Sequence, residues 1–431
     1  MPVSSGPLGA SGSFIRHSSS SPSLQTIMLA MVCASTGVYW PTLSVGGIGV
    51  RLFELSAACA LVVSLRQGRF RVTVMSALAV ALIASLMMSM LVQEPTLDGI
   101  TMLARLGVAL LLTVSVATLV GARPERLKHG LVAWTLGACV VVLVGFVAWL
   151  LAVLGVVRIE SLVYASRSGY RIESLLPDPN RFGTFAAILM VAATTMQLWK
   201  SKLSGAWSAA ALTGAVGVVA SMSRGAMLAA AVGLCTSVLV AMVLQRGRIR
   251  VRVLRTLLAL AVLGALGATL MIKTLPDGAI TQRVRLGVWR VTSMLEDQRT
   301  DHYRSVVDGM STGTSSLIFG IGNFGVVDLG TEEVSSHSTY LTVLGGQGLL
   351  GFTLFVTCIT LVMVLTVLQI RSSDPAMAGV RASLIGGLVV VLAHGVTVNL
   401  YTTGFAWIWM GLAGASLGIR NPLSNKPTRS W

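Results

Sequence analysis

Charged residues are scarce in this 431-residue chain: they make up 11% of it against 54% hydrophobic residues, with a mean hydropathy of +0.80. Apolar runs this many and this long exceed what a soluble core can bury, which excludes a soluble globular domain. Acidic residues are the fewest, 16 against 32 Lys and Arg. No Asp-x-Asp pair or carboxylate cluster falls on the segments assigned below to the external side, so no oxygen-ligand set for a divalent cation is expected there. Cysteine is equally sparse. Cys33, Cys59, Cys139, Cys235 and Cys358 all sit inside apolar runs with no CxxC or Cys/His spacing, which excludes a disulfide framework and a zinc site. Neither a metal nor a cofactor is expected.

Long apolar sequence is what the chain has in abundance. Runs of roughly 17 to 22 residues, each able to cross about 30 Å of hydrocarbon, centre near Ala30, Ala58, Ala81, Leu110, Val142, Ile188, Ala215, Ala231, Leu263, Val356, Val389 and Trp409. The fold class is therefore an all-α integral membrane protein of about twelve transmembrane helices with a large extracytoplasmic loop domain. Residues 1–23, rich in Ser, Gly and Pro, form a disordered cytoplasmic tail and lack the order of a signal peptide. Residues 24–272 hold helices one to nine, the first an uncleaved anchor. Residues 273–337 are the extracytoplasmic loop with amphipathic helices, 338–420 hold helices ten to twelve, and 421–431 form a cytoplasmic tail.

Orientation follows from the basic residues. With the N-terminus inside, alternation puts 19 of the 32 Lys and Arg in the cytoplasm, including the run Arg246, Arg248, Arg250, Arg252 and Arg255, against only Glu125 and Asp374 of the 16 acids. The cytoplasmic side then carries about +17 of the formal +16 and the remainder about −1. This is the positive-inside pattern, so the basic excess reports topology and no nucleic-acid partner is inferred.

Two external segments are long, about 157–181 and 273–336, and long loops in compact proteins are usually functional. Along them and their flanks four motifs follow in order: RIESLLPDPNRFGTFAAIL from Arg171, SMSRGAMLAAAVG around Arg224, DQRTDHYRSVVDGMSTGTSSLIFGIGNFG in the large loop, and HSTYLTVLGGQGLLGF from His337. The ordered set resembles the O-antigen ligase and polymerase family, best from about Arg171 to Gly351. Two positions depart from that pattern: Ser338 follows the histidine where the family commonly has Asn, and Gly346 stands where many members have an acid. If that acid handles the acceptor, its role here is vacant or filled by another group such as Glu332 or Glu333.

The resemblance implies a GT-C-like helical architecture and a metal-independent, inverting glycosyltransferase at the outer face of the bacterial cytoplasmic membrane. Its partners would be an undecaprenyl-diphosphate-linked glycan donor, a lipid-, glycan- or protein-linked acceptor and the membrane lipids. The residues suit that chemistry on their own terms. Arginine grips phosphate oxygens through a planar fork that stays charged, and histidine can take the acceptor's proton near neutral pH.

His337 is the expected catalytic base, at the start of a helix that Ser335 or Ser336 can cap, where the dipole disfavours imidazolium. Its bland alternative is an interfacial packing residue. Arg171, Arg224 and Arg299 are the expected diphosphate ligands, Arg299 through its match to the family's arginine upstream of an aromatic, with Arg181 competing for the role of Arg171. Asn180, Tyr303, Asn323, Tyr340 and His394 are candidates for the cavity or the acceptor, and His394 reads equally well as a hydrogen-bonded packing residue. Arg51 and Glu54, three apart on a helix, can neutralise each other. Gly320, Gly322 and Asn323 look like a nucleotide fingerprint only superficially, since no strand and helix pair surrounds them. A transporter or flippase of a lipid-linked or small anionic substrate is the rival reading. It would use broken helices near the midplane and repeated halves, and the sequence shows neither.

Overall fold

The computed structural model describes residues 23–244 and 306–419 apart from short stretches at 40–42, 46–47, 68–69, 94–96, 122, 167–168, 177, 200–203, 323–325, 329–332, 336–337, 372 and 402. Among the described residues the long helices are α1 (Leu24–Ala34), α2 (Leu52–Arg66), α3 (Val74–Gln93), α4 (Leu97–Val120), α5 (Pro124–Val153), α6 (Pro179–Leu198), α7 (Ser204–Ser221) and α8 (Arg224–Leu244). A short α9 (Thr314–Phe319) precedes α10 (Thr339–Arg371), α11 (Pro375–Gly395) and α12 (Gly404–Leu417). Eight of these, α3 to α8 with α10 and α11, are long and apolar enough to cross a membrane. Eleven of the twelve expected run centres fall on described helices, and the one at Leu263 lies outside the described residues, as does most of the 273–337 segment.

The helix starts are written locally. Asp178 and Asp374 each precede a proline at the first helical position and accept two backbone N–H groups, Asn180 and Arg181 in one case, Ala376 and Met377 in the other. An aspartate cap followed by proline uses one residue to satisfy orphan donors and the next to fix φ.

These two helices, α6 and α11, form the centre of the bundle, with 83% and 78% of their apolar windows buried. Small residues admit their neighbours. A Cβ at Gly214 of α7 would lie 2.5 Å from the Met190 nitrogen of α6, and one at Gly387 of α11 would lie 2.3 Å from the Trp409 ring of α12. Trp134, Phe185, Trp409 and Phe405 stack through the middle, with centroids 4.7 Å apart for the Trp134–Trp409 pair, and Trp409 Nε1 donates to Leu384 O at 2.9 Å. On the periphery, large apolar side chains such as Leu91 at 79% and Leu228 at 68% face outward, as a lipid solvent allows.

Three antiparallel hairpins join the helices: β1 (Leu43–Val45) with β2 (Ile48–Val50), β3 (Val163–Ser166) with β4 (Gly169–Ile172), and β5 (Val326–Asp328) with β6 (Glu333–Ser335). The α1–α2, α5–α6 and α11–α12 connections meet at one end: Tyr39 N donates to Leu175 O at 2.9 Å, and Gly404 N donates to the Tyr39 hydroxyl at 2.8 Å. At the opposite end Arg381, 3% exposed, donates to Gln369 O, Ser416 O, Ile419 O and the Ser373 hydroxyl. It satisfies carbonyls that the C-termini of α10 and α12 leave open.

One span that reads as uninterrupted in sequence is broken. Gly348 in α10 has φ 65° and ψ −166°, and α9 with its following turn fills the break. Ile321 N donates to Gly345 O at 2.8 Å, and a Cβ at Gly348 would lie 2.3 Å from Ile318 O. The glycines of FGIG and GGQG are thus a backbone-to-backbone contact, which is why the first looks like a fingerprint without being one.

Candidate functional site

The hairpin β3–β4 is fastened to α5, where Trp149 Nε1 donates to Tyr170 O at 3.0 Å and the Ser174 hydroxyl to Val141 O at 2.6 Å. This holds Arg171, on β4, over the start of α6. Its Nε donates to Ser221 O at 3.0 Å and its Nη2 to Asn180 Oδ1 at 2.9 Å. One guanidinium therefore ties the first turn of α6 to the last residue of α7.

The α7–α8 connection is a two-residue turn, Met222–Ser223. Met222 adopts φ 51°, a left-handed conformation that is uncommon outside glycine. Ser223 then starts α8 by accepting from Ala226 N, and Arg224 is the first helical residue, with an exposed side chain. A cation at a helix N-terminus opposes the helix dipole, so both would favour an anion placed there. Gly183 lets this turn sit against α6, because a Cβ there would lie 2.7 Å from the Ser221 hydroxyl.

Beneath the turn lies His394, 1% exposed at the end of α11. Its Nδ1 is 2.6 Å from the Thr184 hydroxyl and its Nε2 3.5 Å from that of Ser223. Thr184 spends its own proton on Asn180 O at 3.0 Å, so Nδ1 is assigned the ring proton and donates to Thr184, leaving Nε2 to accept from Ser223. Gly225 makes room for the ring: a Cβ there would meet Nε2 at 2.6 Å. His394 supports the turn from below.

The start of α10 joins the same assembly. Ser338 caps the helix, accepting from Leu341 N at 3.4 Å, and its hydroxyl donates to Gly395 O at 3.4 Å. The cap is thus Ser338, two residues beyond Ser336 and three beyond Ser335, the expected caps. Serine and asparagine are comparable caps, so the helix start is capped with Ser338 at this position. Thr339 Oγ1 donates to Val398 O and accepts from Leu400 N, and the Tyr340 hydroxyl donates to Leu392 O at 2.9 Å. Tyr340 is thereby a brace between α10 and α11.

Of the expected site residues, Arg171, Asn180 and His394 come together around the Met222–Ser223 turn, and Arg224 opens the helix that follows it. His337, Arg299, Tyr303 and Asn323 lie outside the described residues, as do Asp301 and Glu332. Arg51 and Glu54 pair at 3.3 Å, with the Arg51 guanidinium 4.5 Å over the Tyr39 ring. Glu173 was not singled out by sequence. Burial first and Asp178 second push its carboxyl up to about 7, against the opposing pull of Arg171. The signal available was an acid between Ile172 and the apolar Leu175–Leu176 pair, five residues before a second acid. Among the described residues no group of three or more His, Cys, Asp or Glu is arranged to hold a metal ion.

Residues 209–356 match the family model described as O-antigen ligase. The match starts inside α7, includes the Met222–Ser223 turn and Arg224, and ends in α10 beyond its break. It bears out the resemblance to the O-antigen ligase and polymerase family and, at that level, a ligase or polymerase type of function. No curated protein matches the chain.

Proposed function

We propose that the chain is a glycosyltransferase that moves a glycan from an undecaprenyl-diphosphate carrier to an acceptor hydroxyl at the extracytoplasmic face of the bacterial cytoplasmic membrane. The observation that carries this reading is the continuity of the candidate groups at one end of the bundle. Ser338, next after His337, bonds to Gly395, next after His394, and His394 contacts Ser223, next before Arg224. In this reading a base at 337 and a phosphate ligand at 224 act from neighbouring stretches of the chain.

In the reaction, the acceptor oxygen attacks the anomeric carbon from the face opposite the diphosphate, the bond to the phosphate oxygen breaks, and configuration inverts. His337 takes the acceptor's proton. Arg224, with Arg299, holds the negative charge that grows on the departing diphosphate, and Arg171 keeps the turn carrying Arg224 in place. The arginines do the work a divalent cation would otherwise do. Asn180 holds Arg171 and His394 holds Ser223, while Tyr303 and Asn323 are offered to the acceptor.

Purified protein in nanodiscs, supplied with lipid-linked glycan and candidate acceptors in excess chelator, tests the proposal by mass analysis of the products. A new glycosidic bond with release of undecaprenyl diphosphate is expected. Movement of intact donor across a liposome bilayer with no bond formed would point to the transport reading instead, and activity restored only by Mg²⁺ or Mn²⁺ would remove the arginine mechanism.

A further inference from the structure

At the end of the bundle that carries Arg66, Arg123 and Lys128, the starts of α1 and α5 and the end of α2 border an open cavity of about 390 Å³ lined by Ser23, Leu24, Gln25, Gln67, Arg123 and Arg126. This is within the range of small-ligand sites, about 300–1,000 Å³. No carboxylate lines it, and the nearest acid along the chain, Glu125, is paired with Lys128 at 3.3 Å. Two helix N-termini and two guanidinium groups therefore converge with nothing negative among them.

Gln25 is 3% exposed, and its amide donates to Gln67 Oε1 at 3.2 Å, yet its own Oε1 is buried without a hydrogen-bond partner. A buried acceptor left open is disfavoured unless a donor reaches it. Below the cavity, Leu24, Ile27 and Met31 are exposed at 54%, 44% and 57%. Spaced i, i+3 and i+7, they form one apolar stripe down α1.

We propose that this cavity is the headgroup site of an anionic glycerophospholipid, its phosphate on Arg123 and Arg126, a headgroup hydroxyl donating to Gln25 Oε1, and an acyl chain along the stripe of α1. Leu24 both lines the cavity and heads the stripe, so a ligand carrying a phosphate and an acyl chain spans the two, whereas a soluble phosphate would use only the first. Only the leaflet, cytoplasmic, depends on the orientation argued above. The binding chemistry is independent of the transfer reaction.

The test uses the full-length protein, delipidated in detergent, with native mass spectrometry against three probes: phosphatidylglycerol, phosphatidylcholine and glycerol 3-phosphate. Phosphatidylglycerol should be retained over phosphatidylcholine. Arg123→Gln should weaken it about tenfold and Gln25→Met roughly fivefold, the size of one charged and one neutral hydrogen bond, with phosphatidylcholine unchanged. Arg123 makes no side-chain cap bond, so its replacement spares the helix, whereas Arg126 donates to Leu119 O and is left intact. Equal retention of the two lipids, or phosphatidylglycerol binding indifferent to both substitutions, would overturn the proposal. Binding of glycerol 3-phosphate with no lipid preference would reassign the cavity to a soluble anion.

Discussion

Arg171 donates to acceptors on two different helices, Ser221 O at 3.0 Å and Asn180 Oδ1 at 2.9 Å, and its replacement by lysine separates charge from geometry. A hydrogen bond from a charged donor contributes about 1.5–3 kcal/mol. A single ammonium cannot bridge both acceptors as a fork does, so Arg171→Lys should lose one bond and about 1.5–3 kcal/mol. Asn180→Ala removes the other end of one bond and should cost a similar amount alone. Combined with Arg171→Lys it should cost little more, a coupling of about 1–2 kcal/mol. Equilibrium unfolding in mixed micelles, followed by tryptophan fluorescence, measures the stabilities, and single-turnover transfer measures the rates. Because the pair fixes the turn before Arg224, rate losses should show the same non-additivity. Stabilities that add to within about 0.5 kcal/mol would refute the bridge, and a full rate in Arg171→Lys would refute its role in holding the site.

His337→Ala and His337→Gln should both insert and fold yet lose about 10²–10⁴-fold in transfer, the size of a missing general base; glutamine turning over at the wild-type rate with the same pH profile would make His337 a positioning residue. Glu173 is neutral-favouring in the fold, so its stability contribution is complete below pH 4.5 and is lost as pH rises to about 7. Fully buried, that displacement would be worth about 3 kcal/mol, and for a carboxyl partly open to solvent about half as much. Thermal unfolding from pH 4 to 8 should therefore show a slope that Glu173→Gln flattens, and an unchanged slope would contradict it. Gly348→Ala should be among the most damaging single substitutions, because its Cβ would meet Ile318 O at 2.3 Å and its φ is positive; solubilised yield and unfolding temperature at wild-type levels would show that α9 does not pack into the break.

The helical character of the bundle was legible because each lipid-crossing segment must satisfy its backbone internally over a length that membrane thickness dictates. Starts at Asp178 and Asp374 were readable for a local reason, an acid followed by proline. The break at Gly348 was not, because the glycines of GGQG and those of FGIG are far apart in sequence and explain each other only once the fold brings them together. The site was half visible for a similar reason. A motif names Arg171 and Arg224, but the acceptors of Arg171 lie 9 and 50 residues away, so sequence could assign its charge to a ligand without seeing that two of its donors hold the scaffold.

The cytoplasmic basic residues were read as one topological signal and the external arginines as ligands, although within each set they do different work. Arg381 closes helix ends at 3% exposure, Arg126 is 7% exposed and holds Leu119 O, and Arg224 faces outward. Charge counting can orient a bundle because it sums over all of them. It cannot say how many donors of each are already engaged, since that depends on which carbonyls other helices leave open. The same reasoning separates the two histidines of the proposal. His394 has both ring nitrogens matched to hydroxyls from α6 and from the turn, so it is occupied as a support. The proposed mechanism therefore gives the proton-accepting role to His337, the residue before the Ser338 cap.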